Sequence, residues 1–226
     1  MAALETPSLT IGEATYARLR DDIIACRLLP GHKLRLEALR EQYDVGVSTL
    51  REILSRLASE TLVVAEGQKG FSVAPATEQD LKEIADLRLL LESHALRLSI
   101  EKGDLEWEGH VVAAHYKLAS TESRLLAGQE KHTVNWVRYD FAFHNALISA
   151  CGSQALLDLH ASVFDRFLRY HMFAASFRGQ GVVDDHKTMF EMALSRDLDG
   201  VLAMLASHVS RGAEHVLSTG KLAAQA

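Results

Sequence analysis

The spacing of apolar and polar positions changes period twice along this chain. Between residues 14 and 29, "ATYARLRDDIIACRLL" sets Leu19, Ile23 and Ile24 on one stripe, as in a helix packed on a core. "PGHK" predicts a turn after it, and "LEALREQY" (36–43) a short second helix. "DVGV" reads as a turn with Gly46 at its flexible position. Helical spacing then returns through Leu50, Ile53, Leu54 and Leu57, with Ser48 the expected N-cap and Glu60 the approximate end. From Leu62 the period shortens: "LVVAEGQKGFSVAP" predicts two strands about a tight turn. Helix, helix, turn, helix, β-hairpin is the order of a winged helix-turn-helix, expected over 12–75.

Beyond "PATEQD" the strand signals end. Amphipathic helices are predicted over 78–102, 104–127, 131–150, 153–177, 184–196 and 199–217, with breaks at Gly103, Gly128, "CGS", "RGQG" and "RDLDG". The fold class is therefore mainly α: an N-terminal winged helix-turn-helix and a C-terminal all-α bundle over 78–218, large enough to enclose a cavity.

Composition narrows the function classes. No apolar run approaches the ~20 residues needed to span a bilayer, and the N-terminus has no export signal, so no membrane partner is expected. Two cysteines, Cys26 and Cys151, read as small core residues in a reducing bacterial cytoplasm. The net charge of −6 argues against indiscriminate binding to polyanions. Residues 1–75 carry nine Lys plus Arg against ten Asp plus Glu. Binding to double-stranded DNA must rest on a local cluster. In the third helix that cluster is Ser48, Thr49 and Arg51, with Arg56 further along, since the first turn of a recognition helix reaches base edges. Lys69 and Gly70 at the hairpin tip are placed to touch the backbone or minor groove. The plain alternative for Arg51 and Glu52 is a solvated helix face; the hairpin that follows favours the DNA reading.

Eleven histidines invite a metal reading, but most have a simpler one. His32, His110, His115 and His132 sit in polar stretches and are expected at the surface; His160, His171 and His215 suit a core or a cavity wall. Four residues stand out by spacing. Asp140 and His144 fall at i and i+4 on one helix face. His186 and His208 each lie about eleven residues from the turn near 197–198, so an antiparallel helix pair returns them to one level, roughly 16 Å from that turn. Three imidazoles and a carboxylate suit Zn, Ni, Mn or Fe better than Mg or Ca.

The stretches "KLRLEALREQYDVGVSTLREILSRLASETLV" and "GQKGFSVAPATEQDLKEIADLRLLLE" resemble the GntR family of bacterial transcriptional regulators. Within it they resemble the branch with an all-helical FCD ligand-binding domain, and the likeness runs from about Thr15 to Leu217. It implies a homodimer reading a near-palindromic operator, most often a repressor released by its ligand and not an enzyme. It also implies a divalent metal held by Asp140, His144, His186 and His208, with a small carboxylate as effector. Arg88 matches the arginine that opens the second domain and is the expected carboxylate partner, unless Glu92 one turn later is its internal salt-bridge partner. Tyr139 and Arg169 are further expected cavity residues. A metal-dependent enzyme and a purely structural metal are the alternatives. The chain also departs from the family: the Ser-Arg-Thr-Pro common before Leu-Arg-Glu is here Gly46, Val47, Ser48 and Thr49, and Glu37 stands where some relatives carry arginine.

Overall fold

The computed structural model describes residues 10–129, 133–174 and 177–222. The chain divides into two compact units on either side of the Ala76–Thr77 bond.

In the first unit, α1 (Ile11–Ile24) is entered through a capping box. The Glu13 amide donates to the Thr10 hydroxyl, and the Thr10 amide donates to the Glu13 carboxylate at 2.8 Å. This helix ends five residues earlier than its pattern suggested. Cys26 follows it at φ 54°, so that cysteine sits partly exposed in a turn and not in a helical core. The segment α2 (Leu36–Tyr43) leads into α3 (Val47–Ser59) through Asp44, which takes a left-handed conformation, whereas Gly46, the residue read as the flexible position of the turn, is extended. Gly46 instead caps α3: its carbonyl accepts from the Leu50 amide at 3.0 Å. Ser48 therefore lies inside the first turn and does not cap the helix. Leu19, Leu50, Leu54 and Leu57 are fully buried, each contributing roughly 1.5–3 kcal/mol. That anchored inner face fixes which face of α3 is left outward.

Strands β2 (Val63–Ala65) and β3 (Phe71–Val73) pair antiparallel, with Val64 opposite Ser72. The turn between them contains Gly67 at φ 60° and Gly70 at φ 92°, ψ −139°, a conformation open only to glycine. A strand the pattern did not foresee, β1 (Lys33–Leu34), pairs with β3 and gives the order β1-β3-β2. Two residues are too few to show an alternation.

The second unit contains α4 (Glu78–Lys102), α5 (Leu105–Leu126), α6 (Thr133–Ile148), α7 (Gln154–Ala174), α8 (Gln180–Leu194) and α9 (Leu198–Ser218). Thr77, Asp104 and Asp197 cap α4, α5 and α9 through their side chains. Helix α4 packs against α6, α7 and α9, while α8 packs against α5 and α9, which brings α4, α6, α8 and α9 round one interior. Helix α8 begins four residues before its expected start. Gly181 is accommodated within its first turn, and the Gln180 side-chain Nε2 donates to the Asp184 carboxylate at 2.9 Å one turn on.

Candidate metal centre and DNA-reading helix

With its leucines turned inward, α3 leaves Ser48 and Arg51 exposed and Thr49 half-buried. Lys69 is exposed and Gly70 half-buried at the hairpin tip. Arg56 differs from the other candidates. It lies about 140° round the helix from Arg51, and its guanidinium carbon sits 3.7 Å from the Tyr16 ring centroid. Its Nε is 3.6 Å from Glu60, which also accepts from the Tyr16 hydroxyl and pairs with Arg20 at 3.2 Å. Arg56 braces α1 against α3 instead of standing beside Arg51.

In the second unit, α6 supplies Asp140 and His144, α8 supplies His186 and α9 supplies His208; all four are buried. One ring nitrogen from each histidine lies within 4.8 Å of those of the other two. Each Nδ1 meets a carboxylate: His144 faces Glu92, His186 faces Glu122 at 2.7 Å, and His208 faces Asp185 at 3.3 Å. For His144 and His186 the carboxylate on Nδ1 holds the proton there and leaves the Nε2 lone pair for a cation. The Nε2 atoms of His144 and His186 are buried without a hydrogen-bond partner among the described residues, an arrangement that is costly unless something else binds them. Asp140 Oδ1 lies 3.1 Å from His186 Nε2 but is not aligned as a hydrogen bond. Adjacent donors on a shared cation with bonds of about 2.1 Å stand at about that separation. The donor set, three nitrogens and an oxygen, fits a borderline transition metal.

The electrostatics of the cluster follow from dense burial with specific partners. Burial alone would raise the Glu92 carboxyl, but His144 and Arg88 outweigh it and hold it well below the usual carboxylate range. Burial likewise opposes ionised Asp140, and the close approach and charge of His186, with the charges of His144 and Arg88, bring it down to about 2. Burial disfavours the His186 imidazolium, yet Asp140 and Glu122 raise it to about 9. His208 goes the other way, lowered well below its ordinary value by burial and by the neighbouring cationic groups.

Beside the cluster is a cavity of about 20 Å³, lined by Arg88, Trp136, Asp140, His171, Arg178 and His208 among others. That is room for a cation or a water. Arg88 is buried and its Nε donates to Glu92 at 2.9 Å, so the salt bridge expected as the alternative does form. Its Nη2 is without a hydrogen-bond partner among the described residues, and its guanidinium carbon is 4.1 Å from the Phe164 ring centroid. Arg88 thus both pairs with Glu92 and lines the cavity. Tyr139 and Arg169 do not line it. Tyr139 is half-buried beside the Arg138 guanidinium, and Arg169 is buried with its guanidinium 5.6 Å from the Tyr170 ring centroid. Each is one residue from a lining position, about 100° round its helix. His171 lines the cavity and His160 bonds Glu92 at 3.2 Å, whereas His115, expected at the surface, is half-buried and stacked on Phe190 at 4.1 Å. His132 lies outside the described residues.

The sequence reading missed Glu122, Asp185 and Arg178, and treated Glu92 only as a partner of Arg88. One signal was available for Glu122. With Val111, His115 and Leu118 it completes the inward stripe of α5 at i, i+4, i+7 and i+11, where a carboxylate needs a partner.

Residues 11–73 match the model of bacterial regulatory proteins of the gntR family, and residues 83–211 match that of the FCD domain. The chain is 34% identical over 212 residues to the HTH-type transcriptional regulator BphR of Paraburkholderia xenovorans, covering 93% of this chain and 86% of that one. The chain belongs to the GntR family. This GntR protein is also 34% identical to the HTH-type transcriptional repressor GlaR of Escherichia coli, over 86% of its own length and 90% of the repressor's. Its fold matches E. coli McbR/YncC with a TM-score of 0.77 at 18% identity, over 93% of this chain and 99% of the other. It is a DNA-binding transcriptional regulator with an FCD domain, and not an enzyme. No described helix of this GntR protein is long and apolar enough to cross a membrane.

Proposed function

We propose that this GntR protein is a bacterial cytoplasmic repressor whose operator affinity is set by a small organic acid, bound beside a divalent metal in the FCD domain. The observation that carries this reading is the histidine cluster: three buried imidazoles, each backed by a carboxylate on Nδ1, converge next to a cavity edged by two guanidiniums. Asp140, His144, His186 and His208 would hold the cation, which when bound would supply a positive charge for a carboxylate. Glu92, Glu122 and Asp185 orient the imidazoles, and Arg88 offers a buried guanidinium to the same anion. In a homodimer, two copies of α3 read a near-palindromic operator through Ser48, Thr49 and Arg51, with Lys69 and Gly70 at the flanking backbone. GlaR bears the name of a repressor, which supports that sign of regulation.

The test is fluorescence anisotropy on a duplex selected from random pools, with organic acids titrated before and after chelation. Acid-induced release that disappears with the metal and returns on its replacement supports the reading. Acid response that survives chelation would remove the metal from sensing. Unfolding on chelation, with no acid response in the loaded protein, would favour a purely structural metal.

A further inference from the structure

The three histidines differ at Nδ1. For His144 and His186 the hydrogen-bond partner there is a carboxylate, Glu92 and Glu122 respectively. His208 Nδ1 has two: Asp185 Oδ2 at 3.3 Å and Arg178 Nη2 at 3.1 Å. These partners make opposite demands. Asp185 only accepts, so its bond needs the proton on Nδ1 and leaves Nε2 with its lone pair. Arg178 only donates, so its bond needs the lone pair on Nδ1 and puts the proton on Nε2, where it blocks a cation.

Arg178 is also placed to leave. With Val182 it lines both the inner cavity and an outer cleft of about 420 Å³ walled by Gly181, Arg211, Glu214 and others. Its ion pair with Asp185 is long, 3.5 Å, while Arg211 holds the other oxygen of that carboxylate at 2.5 Å. The inner cavity has no room for an organic acid as it stands, and Arg178 is the cationic side chain in the wall between the two spaces. A carboxylate entering from the cleft meets a guanidinium whose bidentate face suits it better than one ring nitrogen.

We infer that Arg178 is a positioning residue coupling the acid to the metal: a bound carboxylate draws it off His208, Asp185 then holds Nδ1–H, and Nε2 is freed for the cation. The inference rests on the metal-and-acid reading above and adds that the two ligands promote each other's binding through His208, by equal factors.

The experiment is calorimetric titration of the full-length protein with Zn²⁺, with and without acetate, for wild type, Arg178→Ala and Asp185→Asn. Nitrogen chemical shifts of His208 in the metal-free protein give a readout independent of binding. Wild type should bind Zn²⁺ about tenfold or more tightly with acetate, and show the Nε2–H tautomer without it. Arg178→Ala should bind tightly in either buffer and show Nδ1–H. Asp185→Asn should weaken Zn²⁺ about ten- to a hundredfold. Equal acetate dependence in wild type and Arg178→Ala, or Nδ1–H in metal-free wild type, would overturn the coupling alone. Failure of the folded wild type to bind Zn²⁺, or any other divalent transition metal, would overturn the metal reading and the coupling with it.

Discussion

Replacing Glu92 by Gln keeps the shape of the side chain and removes its charge. Glu92 is fully buried, accepts from Arg88 at 2.9 Å and His160 at 3.2 Å, and faces His144 Nδ1. Its loss leaves the Arg88 guanidinium, whose side chain is 2% exposed, without its salt-bridge partner. Breaking a buried pair from one side costs about 3–5 kcal/mol. At about 2–4 °C per kcal/mol for a chain of this size, Tm should fall by roughly 6–20 °C. Calorimetry in the presence of a chelator isolates the effect from metal binding. Arg88→Met added to Glu92→Gln removes the stranded charge and should recover at least half of the loss. A single variant melting within about 2 °C of wild type, or a double variant melting as low as the single, would refute the view that Glu92 is the electrostatic hub of the bundle.

Arg51→Ala should weaken operator binding at least tenfold in an anisotropy titration, about 1.4 kcal/mol, while Tm stays near wild type, because the side chain is exposed. Arg56→Ala should do the reverse, lowering Tm through loss of its contacts with Tyr16 and Glu60 and sparing sequence preference. Gly70→Ala forces a side chain into φ 92° and should cost the first unit roughly 1–3 kcal/mol in denaturant melts. Burial lowers His171 to about 3, so the folded protein keeps it neutral while the unfolded chain protonates near 6.5. Its contribution is full above about pH 6.5 and drains as pH falls towards 3, on the order of 5 kcal/mol if fully expressed. Metal-free His171→Gln should show a shallower acid limb over that window; a limb as steep as wild type would show that His171 is not the titrating group.

How much of this was legible beforehand depended on whether a feature is local. The inward stripe of α3 and the Val-rich hairpin announce themselves in a few residues, and Asp140 with His144 by a single helical turn. The helix ends were harder. Gly46 and Ser48 are both acceptable caps, and the choice is made by the bond from Leu50 to the Gly46 carbonyl. Asp44, not the nearby glycine, takes the left-handed turn because either residue tolerates it. The carboxylates behind the histidines could not be read by spacing. Glu92, Glu122 and Asp185 come from three helices, and each reaches a histidine on a different one. Arg178 sat in a stretch read only as a break, since nothing in "RGQG" shows that its arginine turns inward to His208. Tyr139 and Arg169 were misplaced for the opposite reason: proximity in sequence to Asp140 and Leu168 is proximity on the wrong face.

The most direct test of the metal centre is elemental analysis of the purified protein with X-ray absorption on the bound ion. One equivalent of a divalent transition metal per chain, in a shell of three imidazole nitrogens plus oxygen, is the predicted result, with occupancy lost in folded His186→Ala and His208→Ala. A protein that holds no metal after incubation with each candidate ion, or whose metal content is unchanged in both variants, would contradict the account.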